Sequence, residues 1–153
     1  MENTVAETST LTPMPVVTVA QMTFEEFLRE YAGQYAEYVD GEVIKDMTVS
    51  KTHNKLTQFL GSILQFFIEA KQSGQLFGEP YPMRMIFGEK TKGREPDIFF
   101  VANENSHRIH EKYFDGAADL VIEIVSPESV VRDTEDKFEE YETAGVKEYW
   151  VIN

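Results

Sequence analysis

The chain has 153 residues, enough for one domain with a single sizeable core, and its 42% hydrophobic and 27% charged residues are ordinary for a globular protein. It contains no cysteine, which excludes disulfides and thiolate metal sites and leaves the redox compartment unread. Net charge is −13, divided as −5 over residues 1–90 and −8 over residues 91–153; this argues against strong non-specific nucleic-acid binding, which rests on Lys and Arg, and suits a protein that collects cations.

Residues 1–20, "MENTVAETSTLTPMPVVTVA", are rich in Thr, carry Pro13 and Pro15 and show no periodicity. They read as a disordered or loosely attached lead-in to a single domain over 21–153. They lack the basic start and apolar core of a signal peptide. No apolar run reaches the ~18 residues of a membrane span, so no membrane partner is expected and a cytoplasmic location is the default.

Thr23 is placed to cap a short helix, "TFEEFLREYA", with Glu26 at the capping-box position. "QYAEYVDGEVIKD" follows as a hairpin turning at Asp40-Gly41. "SKTHNKLTQFLGSILQFFIEAKQ" predicts a long helix over 50–72, its buried stripe formed by Leu56, Phe59, Leu60, Ile63, Leu64 and Phe67 and its end set by Gly74. "QLFGEPYPMRMIFG" reads as strand broken at Pro80 and Pro82, and "GEKTKG" as a basic turn before the strand "EPDIFFV".

Residues 102–118 read as a polar connection, "DLVIEIV" as a strand and "SPESVVRD" as a loop. Asp133 is expected to begin the helix "DTEDKFEEYETAG", which Gly145 ends, and "KEYWVIN" is a final strand. Strand, helix and strand in succession favour a mixed α/β sheet with central strands buried on both faces. The chain stops at its last strand, an edge that a domain normally covers, and reads as truncated at its C-terminus.

Two strands carry an acid in an otherwise apolar run: Asp97 opens one and Glu123 lies within the next. If these strands are antiparallel neighbours, the carboxylates meet at one end of the sheet. Close carboxylates repel unless a cation stands between them, a task suited to magnesium with one or two carboxylates and several waters. The alternative is that Asp97 caps a turn after Pro96 and Glu123 pairs with a buried base.

"PD" opening a strand, followed by a hydrophobic strand containing Glu, resembles the PD-(D/E)XK nuclease superfamily. More narrowly, "YAEYVDGEVI", the histidine opening the long helix, "REPDIFFV", "DLVIEIVSPES" and "RDTEDKFEEYETAGVKEYWVIN" resemble the Uma-type restriction endonuclease family, from about residue 23 to the end. The resemblance implies a restriction-endonuclease-like α/β fold, a mixed β-sheet core flanked by helices, and Mg2+- or Mn2+-dependent hydrolysis of DNA phosphodiesters. It implies metal ligands Asp97 and Glu123, with Glu37 a further acid of the site. The superfamily's lysine would stand two residues after Glu123, where this chain has Val125; the resemblance moves that role to Lys137. It also gives His53 a site-facing role, whereas its spacing from Leu56 and Leu60 puts it on the buried stripe, where a histidine is more often part of the core.

Arg84, Lys90, Lys92 and Arg94 form a local basic stretch leading into Asp97, either a DNA contact or a solvated hairpin tip. His107 and His110 read as surface, and Ser126-Pro127 as the end of a strand. Glu135, Asp136, Glu139, Glu140 and Glu142 read as the solvated face of the last helix. The leading reading is thus a metal-dependent endonuclease, with a homodimer compatible with it. Its rivals are a catalytically inactive nuclease-fold module for protein binding and, more weakly, a hydrolase of a small phosphate ester.

Overall fold

The computed structural model describes residues 21–45, 50–125 and 132–153, with the Arg132 side chain excepted. The expectations for residues 1–20 and for Ser126-Pro127 lie outside these residues. Local signals at the start of the domain act as the sequence predicts. Thr23 caps α1 (Phe24–Tyr31) through a complete capping box, its hydroxyl accepting from Glu26 N while the Glu26 carboxylate accepts from Thr23 N at 2.8 Å. The hairpin of β1 (Ala36–Val39) and β2 (Glu42–Lys45) turns on Asp40 and Gly41, whose φ values of 51° and 99° are those a two-residue hairpin turn demands.

Helix α2 (Lys51–Lys71) starts at the Ser50 cap, but it ends on Gln72 in a left-handed conformation, not on Gly74. Gly74 opens β3 (Gly74–Phe77), where a Cβ would stand 2.1 Å from the Val101 carbonyl of the adjoining strand. The predicted stripe also divides. Leu56, Leu60 and Leu64 turn inward with Ile68, whereas Phe59, Ile63 and Phe67 are exposed. This helix has apolar residues on both sides, and periodicity alone cannot say which side the sheet covers.

The remaining strands are β4 (Met83–Phe87), β5 (Lys90–Arg94), β6 (Ile98–Ala102), β7 (Phe114–Asp115), β8 (Leu120–Ile124) and β9 (Glu148–Ile152), the last reached through α3 (Lys137–Ala144). The segment read as a basic turn is therefore mostly strand, with only Gly88 and Glu89 turning. The polar connection holds a short 3-10 helix, Asn103–Arg108, and β7. Asp133 does not start α3. It lies in a π-helical turn, Arg132–Asp136, that runs into the helix, its carboxylate buried and 3.5 Å from the Lys137 ammonium.

The mixed α/β architecture has, among the described residues, two sheets, ordered β2-β1-β5-β4-β7 and β3-β6-β8-β9. Met83, Met85, Phe99, Val101, Phe114, Val121 and Tyr141 form the main core, drawn from both sheets and α3. Helix α1 covers Ala36, Tyr38 and Val43 of the first sheet, and α2 lies on the second, with Gly61 against the Ile98 side chain. The chain passes from one sheet to the other at Glu95-Pro96-Asp97, where Pro96 is fully buried and cannot donate to a ladder.

Candidate active site

The sheet switch and the β6–β8 pairing build the site. Strands β6 and β8 are antiparallel neighbours with Ile98 opposite Ile122, so one further step sets Asp97 across from Glu123. Asp97 is held at both oxygens: Oδ2 accepts from Ile124 N at 2.6 Å, and Oδ1 lies 2.9 Å from Nε2 of His53 in the first turn of α2. The other ring nitrogen, Nδ1, is buried without a hydrogen-bond partner.

Glu123 is buried, and its Oε1 accepts from the Lys137 ammonium at 2.9 Å and from the Tyr141 hydroxyl at 2.8 Å. The same ammonium is 3.1 Å from Glu37 on β1. Arg94 binds Glu37 at 2.7 Å and holds Glu140 of α3 through two nitrogens, each at 2.8 Å. Glu140 is therefore half-buried in an ion-pair network and does not belong to a solvated face. Lys92 also pairs with it. The network arises because β1 is buried on both sides: Tyr38 faces α1, while Glu37 on the alternate side faces α3.

Burial governs the protonation of the acids. It pushes Glu123 up to about 7, with Lys137 opposing and Asp97, Asp133 and Glu37 adding to the rise. It raises Asp97 as well, against the pull of the Ile124 N–H and His53. Glu95, which the sequence reading did not single out, is pushed up to about 8 by burial. Its Oε2 accepts from Ala36 N at 3.1 Å, while Oε1 is buried without a partner. Burial also opposes ionisation of Glu140, but its bonds to Arg94 outweigh that and hold it below the ordinary glutamate range.

The structure thus brings Asp97, Glu123, Lys137, Glu37 and His53 together. It adds Glu95, Tyr141, Arg94 and Glu140. The run "REP" immediately before Asp97 was the available signal for two of these; Tyr141 looked like ordinary core. Of the basic stretch, Lys90 is 71% exposed, Lys92 19% and Arg94 5%. Arg84 stands opposite Gly93 and so projects from the other face, where it pairs with Asp115 at 2.9 Å. Alternation along the strands therefore separates Arg84 from the other three, which share one face of β5 and differ in depth.

Asp97 and Glu123 are hard oxygen donors on facing strands, the Asp97 charge adding to the cost of ionising Glu123, and carboxylate oxygen is the donor type that magnesium and manganese take. Among the described residues, no group of three or more His, Cys, Asp or Glu is arranged to hold a metal. The pair could serve a hydrated ion but is not a full protein cage.

Residues 23–153 match the Uma2 family, described as "Putative restriction endonuclease". The chain belongs to this family. It is 27% identical over 143 residues to an uncharacterised protein of Synechocystis sp., covering 92% of this chain and 79% of that one. Its fold is similar to that of an Anabaena variabilis protein described as a putative nuclease belonging to DUF820, with a TM-score of 0.68 and 21% identity over 85% of this chain and 73% of the other. Family membership is consistent with the PD-(D/E)XK superfamily and agrees with the fold expected from the sequence. No helix among the described residues is long and apolar enough to cross a membrane.

Proposed function

We propose that the protein is a metal-dependent endonuclease that hydrolyses DNA phosphodiester bonds at the Asp97–Glu123 site. The observation that carries this reading is the position of Lys137, a buried ammonium touching Glu123 and Glu37 although the strand position for a lysine holds Val125. A base from α3 reaches the acids that the strand cannot serve.

Asp97 and Glu123 would hold the cation, which when bound supplies charge neutralisation and an acidified water. Lys137 places positive charge where a phosphate or its nucleophile would lie. Glu37 and Arg94 keep that ammonium in position. His53 orients Asp97 through Oδ1, and Tyr141 orients Glu123 by donating to Oε1. Lys90 and Lys92 line a shallow groove with Phe87, Thr143 and the acids Glu139 and Glu140, and Lys90, only loosely paired with Asp40 at 3.9 Å, is the exposed cation there for a backbone phosphate. Arg84 and Arg94 are tied into ion pairs and serve as scaffold in this reading.

Plasmid cleavage in magnesium or manganese tests the proposal. Wild type should nick or linearise DNA, and Asp97→Asn and Glu123→Gln should not, while both retain wild-type circular dichroism. Cleavage by Asp97→Asn at the wild-type rate would reject the site. A second reading, an inactive nuclease-fold module that binds protein, is favoured by the lack of a three-ligand cluster among the described residues and by the net charge of −13. A well-folded wild type that binds neither metal nor DNA would support it.

A further inference from the structure

Helix α2 has two apolar faces, and the fold uses one. Leu56, Leu60, Leu64 and Ile68 turn to the second sheet. On the outer face Phe59 is 62% exposed, Ile63 51%, Phe66 77% and Phe67 58%. A helix that is apolar all round is ordinarily enclosed, and a contiguous exposed patch of this kind marks a contact surface.

We infer that this face joins two copies of the chain, their α2 helices packed antiparallel about a two-fold axis beside Ser62. The positions of charge select this occupant. Phe59, Ile63, Phe66 and Ala70 follow the alternating four-and-three spacing of a helix–helix seam. Lys55 and Glu69 lie along one border of that seam, two heptads apart with Ser62 midway, and both are exposed. Neither is in an ion pair among the described residues; there the Glu69 carboxylate accepts only from the neutral Gln65 amide, at 2.6 Å.

A two-fold axis exchanges residues equidistant from it. Each Lys55 then meets the Glu69 of the second copy, and each Phe59 falls within one residue of the level of a Phe66, with a small serine at the crossing. A parallel pair would instead bring Lys55 level with Lys55 and leave both charges uncompensated. The antiparallel arrangement sets the two His53 residues toward opposite ends of the helix pair, about 30 Å apart along its axis. The inference is independent of whether the site cleaves DNA.

Sedimentation of the full chain over a dilution series tests it. Wild type should approach twice the 17.6 kDa of one chain. Lys55→Glu and Glu69→Lys should each weaken the dimer by about tenfold or more, because each sets like charges together. The double exchange should restore it. Phe66→Glu should give a monomer with unchanged helical circular dichroism. A wild type that stays monomeric overturns the inference and gives the face to a different partner. A dimer that survives Phe66→Glu, or a double exchange that fails to recover affinity, overturns it equally.

Discussion

The Lys137 ammonium lies within 3.5 Å of Glu123, Glu37 and Asp133 and is itself buried, so its removal takes from buried Glu123 the base it pairs with, while Glu37 keeps Arg94. Breaking a buried ion pair on one side typically costs ~3–5 kcal/mol. Lys137→Ala should therefore lower stability in urea by that order at neutral pH, in contrast to the unchanged melting that a surface lysine would give. The loss should shrink in acid, where Glu123 can take a proton. A variant as stable as wild type at both pH values would remove Lys137 from the network.

Glu95 provides a second test at this scale. Its folded value of about 8 lies above the ordinary 4.5, so the native protein binds this proton more tightly than the unfolded chain. The contribution is fully present below 4.5 and is lost as pH rises through 8. Glu95→Gln should remove that decline, leaving the variant more stable than wild type above this range. Parallel stability profiles for the two proteins would contradict the assignment.

At the scale of elements, the segment after β3 constrains the site from outside. A Cβ on Gly78 would lie 2.4 Å from the Asp97 carbonyl oxygen, so backbone must move to admit any side chain. Gly78→Ala should cost about 1–3 kcal/mol, as overpacking does. It should also weaken any cation-dependent rise in melting temperature, because the displaced backbone carries Asp97. Melting curves with and without magnesium check both parts. Turns and caps such as Thr23 and Asp40-Gly41 were legible because their chemistry is complete within four residues. The end of α2 was not, since Gly74 is required by a neighbouring strand and not by the helix.

Across the whole molecule, the acidity is partly concentrated at the site. Glu37, Glu95, Asp97, Glu123, Asp133 and Glu140 are six carboxyl groups gathered around the three bases Lys92, Arg94 and Lys137. A cation binding there should raise the melting temperature by mass action. Glu123→Gln should remove most of that response while adding a cost of its own, because Glu123 also anchors Lys137 and Tyr141. An equal magnesium response in the variant would place the ion elsewhere. With Arg84, Lys92 and Arg94 engaged, DNA binding should show a shallow salt dependence, on the order of 1–2 phosphate contacts. Lys90→Glu should flatten it further.

The sequence by itself determined the mixed α/β class and the local turns and caps, and it singled out Asp97 and Glu123, because strand alternation, capping and an acid in an apolar run are written in neighbouring residues. That Asp97 and Glu123 would face each other also followed once their strands were taken as antiparallel. Only the tertiary structure decided which side of α2 the sheet covers, since both sides are apolar. It alone turned Arg94 and Glu140 from surface charges into a buried pair, as each needs a partner on a distant element. The same holds for Glu95 and Tyr141. Their polar atoms acquire a role only where the chain crosses between the sheets and α3 closes over them, which no local pattern encodes.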